Sequence, residues 1–548
     1  MRAVERLAAV AGPLAAASIA FVLARQTLQP GLAFWDTAEF QAVPPLLGTL
    51  HPTGFPAYVL LGWTASAVLA PFGEPAFRMN LFGALCVAGA IGLTAVLVRQ
   101  LTGRTFLAVA AALVPFMAPI TWRIASTADA HSLHLFLLAL LFVVLVGWAR
   151  RSIGSNGTGP ASDRWLVAAA AVYAVALGNH RLMLLLAPGI VLFVVAIQPD
   201  VQRRPALVRR CFAVFVALLA LQYLELPLRA GPFRAPLVYG RPETPDGFVY
   251  VVLGQQFLGS LVNPFADLGR TLGGLVDLTV NQLGPLAVLV PVGFVVAAVR
   301  RWPYVLLTGP TLLLTCLFAM TYANAGIERY YLGPLLIAVT WLAILVDAAL
   351  DVAPGAVRRA VKAAGRLAPA GPLAPAGRKA PAGRLGAAAV PGSDRFPAAG
   401  SLARLALEVA VAAAITLPAV QTIDRTRRAV DLSQAFEARA WVDDVLARLE
   451  PDAVVISWWS YSTPLWYARD VEGRRQDVAI VDDRTRLDDQ LGEVTDVIDR
   501  YLGTRPVYVI RPADQTVALA RRYDLRPIPD LVGSGLALVL DRRAADGR

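Results

Sequence analysis

Charge is scarce in this chain. Asp, Glu, Lys and Arg together make up 16% of 548 residues, and only four histidines and three cysteines occur. Soluble domains carry about 25% charged residues. The deficit, with 57% hydrophobic residues and a mean hydropathy of +0.57, excludes a soluble globular class and points to a polytopic α-helical membrane protein. Cys86, Cys211 and Cys316 each lie inside an apolar run, without C-x-x-C or metal-ligand spacing. They read as small buried hydrophobes, which excludes a disulfide framework or a zinc site. The C-terminal stretch 425–548 lacks G-x-G-x-x-G and Walker motifs, so nucleotide binding is not expected there. The surplus of positive charge, +11, is scattered in short Arg clusters between apolar runs. That is the positive-inside pattern, not a nucleic-acid surface.

What is abundant is apolar sequence. Runs long enough to span fall near 7–25, 79–98, 105–121, 131–149, 165–178, 182–197, 211–228, 283–299, 303–322, 331–350 and 402–420, about 11 spans. The N-terminal run reads as an uncleaved span, because its small residues Ala15-Ala16-Ala17 lie inside it. Arg2 and Arg6 put the N-terminus on the cytoplasmic side, and the clusters Arg99/Arg104, Arg150/Arg151, Arg203/Arg204 and Arg300/Arg301 then fall inside as well. This closes only if the run 57–72 does not cross, but lies on the outer surface or re-enters within a large first external loop, 26–78. Residues 1–350 form the transmembrane domain. Residues 351–401, dominated by Ala, Pro, Gly and Arg, are expected to be a disordered basic cytoplasmic linker. After a last span at 402–424, residues 425–548 return to soluble composition as an extracytoplasmic α/β domain. Its strands are expected at Ala453–Ser457, Asp477–Val481, Val507–Ile510 and Leu536–Leu540, its helices near 433–449, 487–502 and 513–523, and its sheet mostly parallel. Trp458, Trp459 and Trp466 crowd the loop after its first strand. Beyond the end of a strand, such rings suit a sugar face or an extended peptide, and they equally suit docking on the membrane interface.

The stretch Trp35-Asp36-Thr37-Ala38-Glu39-Phe40 follows the first span. Asp36 and Glu39 share a face if it is helical, and acids at a membrane surface are costly unless they bind or catalyse. A His51-Pro52-Thr53-Gly54-Phe55-Pro56 turn comes next. The other histidines fall on the same side: His131 and His134 after Asp129, and His180 in Gly178-Asn179-His180-Arg181. The run before His180 covers only ~20 Å as helix, so this turn dips below the surface. With Glu225 and Glu328-Arg329-Tyr330-Tyr331, these residues imply a polar cavity that opens outward. Arg329 and Arg181 are candidates to hold a phosphate. The plainer reading of Arg329 is a local contact with Glu328.

Trp-Asp-x-x-Glu-Phe, His-Pro-x-Gly-x-Pro, Gly-Asn-His-Arg, Glu-Arg-Tyr-Tyr and Arg475-Gln476-Asp477-Val478 occur in that order. Together they resemble a bacterial membrane-protein family, formerly a domain of unknown function, related to the eukaryotic transmembrane O-mannosyltransferase that acts on plexin-type domains. Gln476 stands where Pro is more usual. The resemblance implies a GT-C glycosyltransferase fold, a polyprenyl-phosphate sugar as donor, and a protein or glycan acceptor hydroxyl at the extracytoplasmic face of the bacterial plasma membrane. It implies Asp36 as general base, with Glu39 orienting it or the acceptor. The leaving lipid phosphate then falls to Arg329, Arg181 and His180, in a cavity shared with His51, Asp129, His131, Asn179, Glu328 and Tyr330. No metal or other cofactor is expected, because phosphate is already a good leaving group. A transporter or lipid-carrier flippase using the same acids as a proton relay is the alternative. The gathering of polar groups at one face, away from the midplane, weighs against it.

Overall fold

The computed structural model describes residues 2–154, 160–323, 326–367 and 397–543. Apolar runs become helices, as a membrane requires of backbone that has no water to bond. Among the described residues, seven helices are long and apolar enough to cross, and up to nine if two bent pairs each count as one span. The other two expected spans are the helix Pro160–Asn179 and the shorter apolar segment Arg181–Ile197. The expected span at 105–121 is bent by 79° between Thr105–Phe116 and Pro119–Ala125. Pro119 cannot continue the hydrogen-bond ladder. The run 57–72 becomes the helix Pro56–Val68, too short to span. The chain is a multi-pass membrane protein.

The helix Pro75–Thr102 is central, packing on the first helix, Arg2–Thr27, and on Ala130–Gly154. Its C-terminal end meets the basic clusters. Arg104 pairs with Asp347 and Asp351, Arg300 pairs with Asp351, and Arg301 donates to the Leu101 carbonyl. Its N-terminal end meets the α/β domain. The Ala76 amide donates to the Tyr467 hydroxyl at 3.0 Å, and Arg439 bridges Glu74 and Glu472. Those ends are ~40 Å apart at 1.5 Å per residue.

The linker expectation needs correction at its start. The helix that begins at Leu332 runs on to Leu367, because Ala, Arg and Lys are strong helix formers even where no core can form. Positions 368–396 lie outside the described residues.

The C-terminal sheet has five strands in the order β2-β1-β3-β5-β4: β1 Val454–Ser457, β2 Ala479–Asp482, β3 Val507–Ile510, β4 Tyr523–Pro527 and β5 Leu536–Arg542. It is mixed, not mostly parallel. β1 pairs parallel with β2 and β3, while β5 is antiparallel to β3 and β4. β4 escapes the sequence reading because it is a largely exposed edge strand with charged residues and a proline, devices that blunt an edge. The expected helix at 487–502 is two, Asp483–Asp488 and Val494–Tyr501. One hydrophobic cluster runs unbroken from the membrane helices into this domain, with Phe34 packed on Trp441 at 5.6 Å.

Candidate active site

The two acids of the first loop do part company, although they share a helix. Trp35–Leu46 is helical, with Asp36 in its first turn, where the helix dipole favours a carboxylate. Asp36 lines a cavity of about 1020 Å³, and its Oδ1 accepts from the Trp459 indole N–H at 2.8 Å. Glu39 is buried and faces the following turn. It accepts from the His51 amide at 2.7 Å and pairs with the His51 ring. Burial works against a charged imidazole, but the Glu39 carboxylate, helped by Asp36, outweighs it and pushes His51 up to about 9. His51 lines the cavity and Glu39 stands behind it. Glu39 is thus an anchor for the turn.

A polar knot fixes this helix over the bundle. Buried Asn80 donates to the Gln29 and Gly31 carbonyls and accepts from Gln41 and the Ala128 amide, and Gln41 accepts from the Ala33 amide. Two loops and the Trp35–Leu46 helix therefore converge on one side chain. Gly83, one turn along, lets the loop that carries Asp129 come close, since a Cβ there would sit 2.7 Å from the Thr127 carbonyl oxygen.

Arg329 does not pair with Glu328. Its Nη1 donates to Asp129 Oδ2 at 2.7 Å, while His131 donates its amide to Asp129 Oδ1 and places Nδ1 2.8 Å from it. Burial alone would raise the Asp129 carboxyl; Arg329 and His131 outweigh it and hold it well below the usual range. Gly326, at φ +70°, permits the tight turn in which Arg329 Nε donates to the Gly326 carbonyl. Arg329 lies between the large cavity and a second one of about 620 Å³, and Glu328 lines only the second.

His180, Arg181 and Tyr330 join Asp36 and Arg329 on the large cavity. The His180 ring lies 4.6 Å from His131 and 5.6 Å from Tyr330, and its Nδ1 accepts from the Leu182 amide at 3.2 Å. One guanidinium nitrogen of Arg181 is buried without a partner. Asn179 is buried away from the cavity and donates to the Ala130 carbonyl. Glu225 is not on the wall either. Of the three tryptophans, Trp458 and Trp459 line the cavity, while Trp466 is buried behind them, edge-on to Trp459 at 5.8 Å. Among the described residues, no group of three His, Cys, Asp or Glu side chains is placed to hold a metal ion.

The sequence reading missed the wall contributed by Tyr239, Tyr250, Asp482 and Arg484. Arg484 is held between the Tyr239 and Tyr250 rings, 4.9 and 4.6 Å from their centres, and donates to the Tyr250 hydroxyl. Asp482 ends β2 and is pushed up to about 6, chiefly by burial, against bonds from the Arg484 amide and Ser462. Its place at the carboxyl end of a parallel strand was the available signal. The late Arg475-x-Asp477 motif is remote from the cavity. Arg475 bonds Asp477 and the carbonyls of Leu446, Leu449 and Glu450, which ties a helix end to the start of β2.

The other side of the cavity is apolar. Leu182, Leu184, Leu185, Leu253, Leu258 and Leu261 line it, and Leu184, Leu253, Leu258 and Leu261 also face outward, 49 to 61% exposed. The cavity therefore joins a cationic, acid-bearing pole to a greasy mouth.

Residues 36–203 match the family described as "Protein O-mannosyl-transferase TMEM260 N-terminal domain". Over 226 residues, 41% of this chain, it is 27% identical to the mouse (Mus musculus) protein O-mannosyl-transferase TMEM260, and the match spans 31% of that protein's length. The fold is similar to that of ArnT from Cupriavidus metallidurans bound to undecaprenyl phosphate (TM-score 0.59, 13% identity, 95% of this chain and 96% of that one). It is also similar to archaeal oligosaccharyltransferase AglB from Archaeoglobus fulgidus in complex with an inhibitory peptide and a dolichol-phosphate (TM-score 0.50, 14% identity, 91% and 69%). Residues 36–203 thus match a TMEM260-type N-terminal domain, within a multi-pass membrane fold like that of ArnT and AglB that ends in a C-terminal α/β domain.

Proposed function

We propose that this protein is a glycosyltransferase that moves a sugar, most simply mannose, from a polyprenyl phosphate to an acceptor hydroxyl on a protein or glycan. The observation that carries this is the single cavity in which Asp36, Arg329, Arg181 and His180 share a wall with outward-facing leucines. A prenyl chain suits the leucines and its phosphate suits the cations. The match to a protein O-mannosyl-transferase domain and the lipid phosphates bound by two proteins of like fold support the reading.

In the reaction the acceptor oxygen attacks the anomeric carbon, and its proton passes to Asp36 as the new bond forms. The bond from the anomeric carbon to phosphate oxygen breaks, and the electron pair leaves on the lipid phosphate. Arg329 and Arg181 neutralise that charge as it develops. Asp129 holds Arg329 in place, and His180 supports the wall. The phosphate held by guanidinium groups needs no metal. We assign the protein to the bacterial plasma membrane, with its N-terminus cytoplasmic and the site and α/β domain outside. Arg2 and Arg6, and the gathering of Arg104, Arg300 and Arg301 at the end of the bundle away from the cavity, support that orientation.

The test is transfer by the purified full chain in detergent, with labelled polyprenyl-phosphate mannose and a Ser/Thr-rich peptide or an oligosaccharide. Labelled product and free polyprenyl phosphate in equal amounts are expected. Intact donor moved across a vesicle membrane, with no cleavage of the sugar–phosphate bond, would favour a flippase.

A further inference from the structure

Helix Trp459–Trp466 reaches from the α/β domain onto the start of the Trp35–Leu46 helix, and its first residue bonds Asp36. Trp459 donates its indole N–H to Asp36 at 2.8 Å. Thr463, one turn on and on the same face, donates its hydroxyl to the Trp35 carbonyl at 3.0 Å. Trp458 sets its ring edge-on against Trp35 at 5.2 Å. Trp35 sits at φ +59°, a left-handed conformation that a bulky residue adopts only when its surroundings hold it. No side chain caps the start of the Trp35–Leu46 helix from within its own loop. The side-chain bonds to the Asp36 carboxylate and the Trp35 carbonyl thus come from the other domain. Trp459 is itself wedged by Trp466 on one side and by His51 and Tyr239 on others, at 5.8, 5.9 and 5.8 Å.

We propose that Trp459 is a positioning residue for Asp36, and that with Thr463 it makes the α/β domain a clamp that completes the catalytic site. The sequence suggests a different role for Trp459, a stacking surface for the acceptor. Geometry separates the two. The N–H that a stacked indole would leave free is spent on the carboxylate, and the ring edge is packed. A carboxylate taking a proton must be aimed at the acceptor oxygen, and a fixed N–H on one oxygen leaves the other free for that task. The inference rests on the reading of Asp36 as the base.

The experiment compares Trp459→Phe, Trp459→His, Thr463→Val and Asp36→Asn in the full-length protein, with polyprenyl-phosphate mannose as donor. Hydrogen exchange is followed in parallel over residues 33–41 and over the Pro75–Thr102 helix. Trp459→Phe keeps an aromatic ring but loses the N–H. It should lower kcat about ten- to a hundredfold, with donor and acceptor KM within about twofold. Trp459→His, which retains a ring N–H, should recover part of the loss. Thr463→Val should raise exchange over 33–41, as should Trp459→Phe, with the Pro75–Thr102 helix unchanged. A Trp459→Phe protein with normal kcat and raised acceptor KM would overturn the proposal in favour of stacking. Unchanged kinetics and unchanged exchange over 33–41 would overturn it outright, while an inactive Asp36→Asn in the same series would leave the base assignment standing. A fully active Asp36→Asn would remove both.

Discussion

Asp129 and Arg329 are 200 positions apart in the chain and 2.7 Å apart in space, and the proposed function gives Arg329 a phosphate to bind as well as this ion pair to keep. Breaking a buried ion pair from one side strands a charge, at a cost of about 3–5 kcal/mol. Arg329→Ala is therefore expected to lower the melting temperature and, separately, to raise the donor KM. Glu328→Gln, which faces the second cavity, should do neither. Combining Arg329→Gln with Asp129→Asn should restore much of the stability without restoring donor use. Full recovery of both would make Arg329 purely structural. His51 offers a second test at this scale. Its folded value of about 9 lies above the usual 6.5, so its pairing with Glu39 is in place around pH 6.5 and is lost as the pH rises through about 9; burial raises the Glu39 carboxyl, so the pairing is also lost in acid. Thermal stability should accordingly decline between about pH 7 and 10, and Glu39→Gln should move that decline out of this window. A flat wild-type curve over that range contradicts the pair. The individual site residues were legible because polar side chains are rare in so apolar a chain. Their partners were not. Glu328, next in sequence, looked a better match for Arg329 than an acid 200 residues away.

Among elements, the helix Trp35–Leu46 is set less by its own propensities than by Asn80, which gathers the loops on either side. Asn80→Ala strands the buried Gln29 carbonyl and Ala128 amide, each costing about 1–3 kcal/mol if left unsatisfied, while Gln41 keeps its bond to the Gly31 carbonyl. Increased hydrogen exchange over 28–34 and 126–130, and loss of transfer activity, are the expected outcomes. Retained exchange protection there would mean that packing alone fixes the loops. Long apolar runs announced most helices, since their length is dictated by the bilayer. The bend between Phe116 and Pro119, the continuation of a helix to Leu367 and the edge strand Tyr523–Pro527 were less readable. Each is decided locally, by a proline, by Ala-rich propensity or by an exposed edge, against the hydropathy of its surroundings. The wall made by Asp482 and Arg484 had no apolar background against which to stand out.

At the scale of the whole molecule, the α/β domain closes the site from one side of the bundle. A topology test follows from that arrangement. In a background lacking Cys86, Cys211 and Cys316, cysteines at Gln515, exposed on the α/β domain, and at Leu60 should label from outside. One at Arg203, exposed at a basic cluster, or at Ala380 should label only after permeabilisation. External labelling at Arg203 would reverse the orientation. The domain was recognisable from composition, but its grip on Asp36 was not, because Trp459 and Asp36 are 423 residues apart.

The central claim is that Asp36 takes the acceptor proton in sugar transfer from a lipid phosphate. The measurement that reaches it most directly is the single-turnover rate of Asp36→Asn with saturating polyprenyl-phosphate mannose, in protein whose melting temperature matches wild type. A rate lower by about a hundred- to ten-thousandfold is expected, with donor binding retained. Transfer at a near wild-type rate would contradict it.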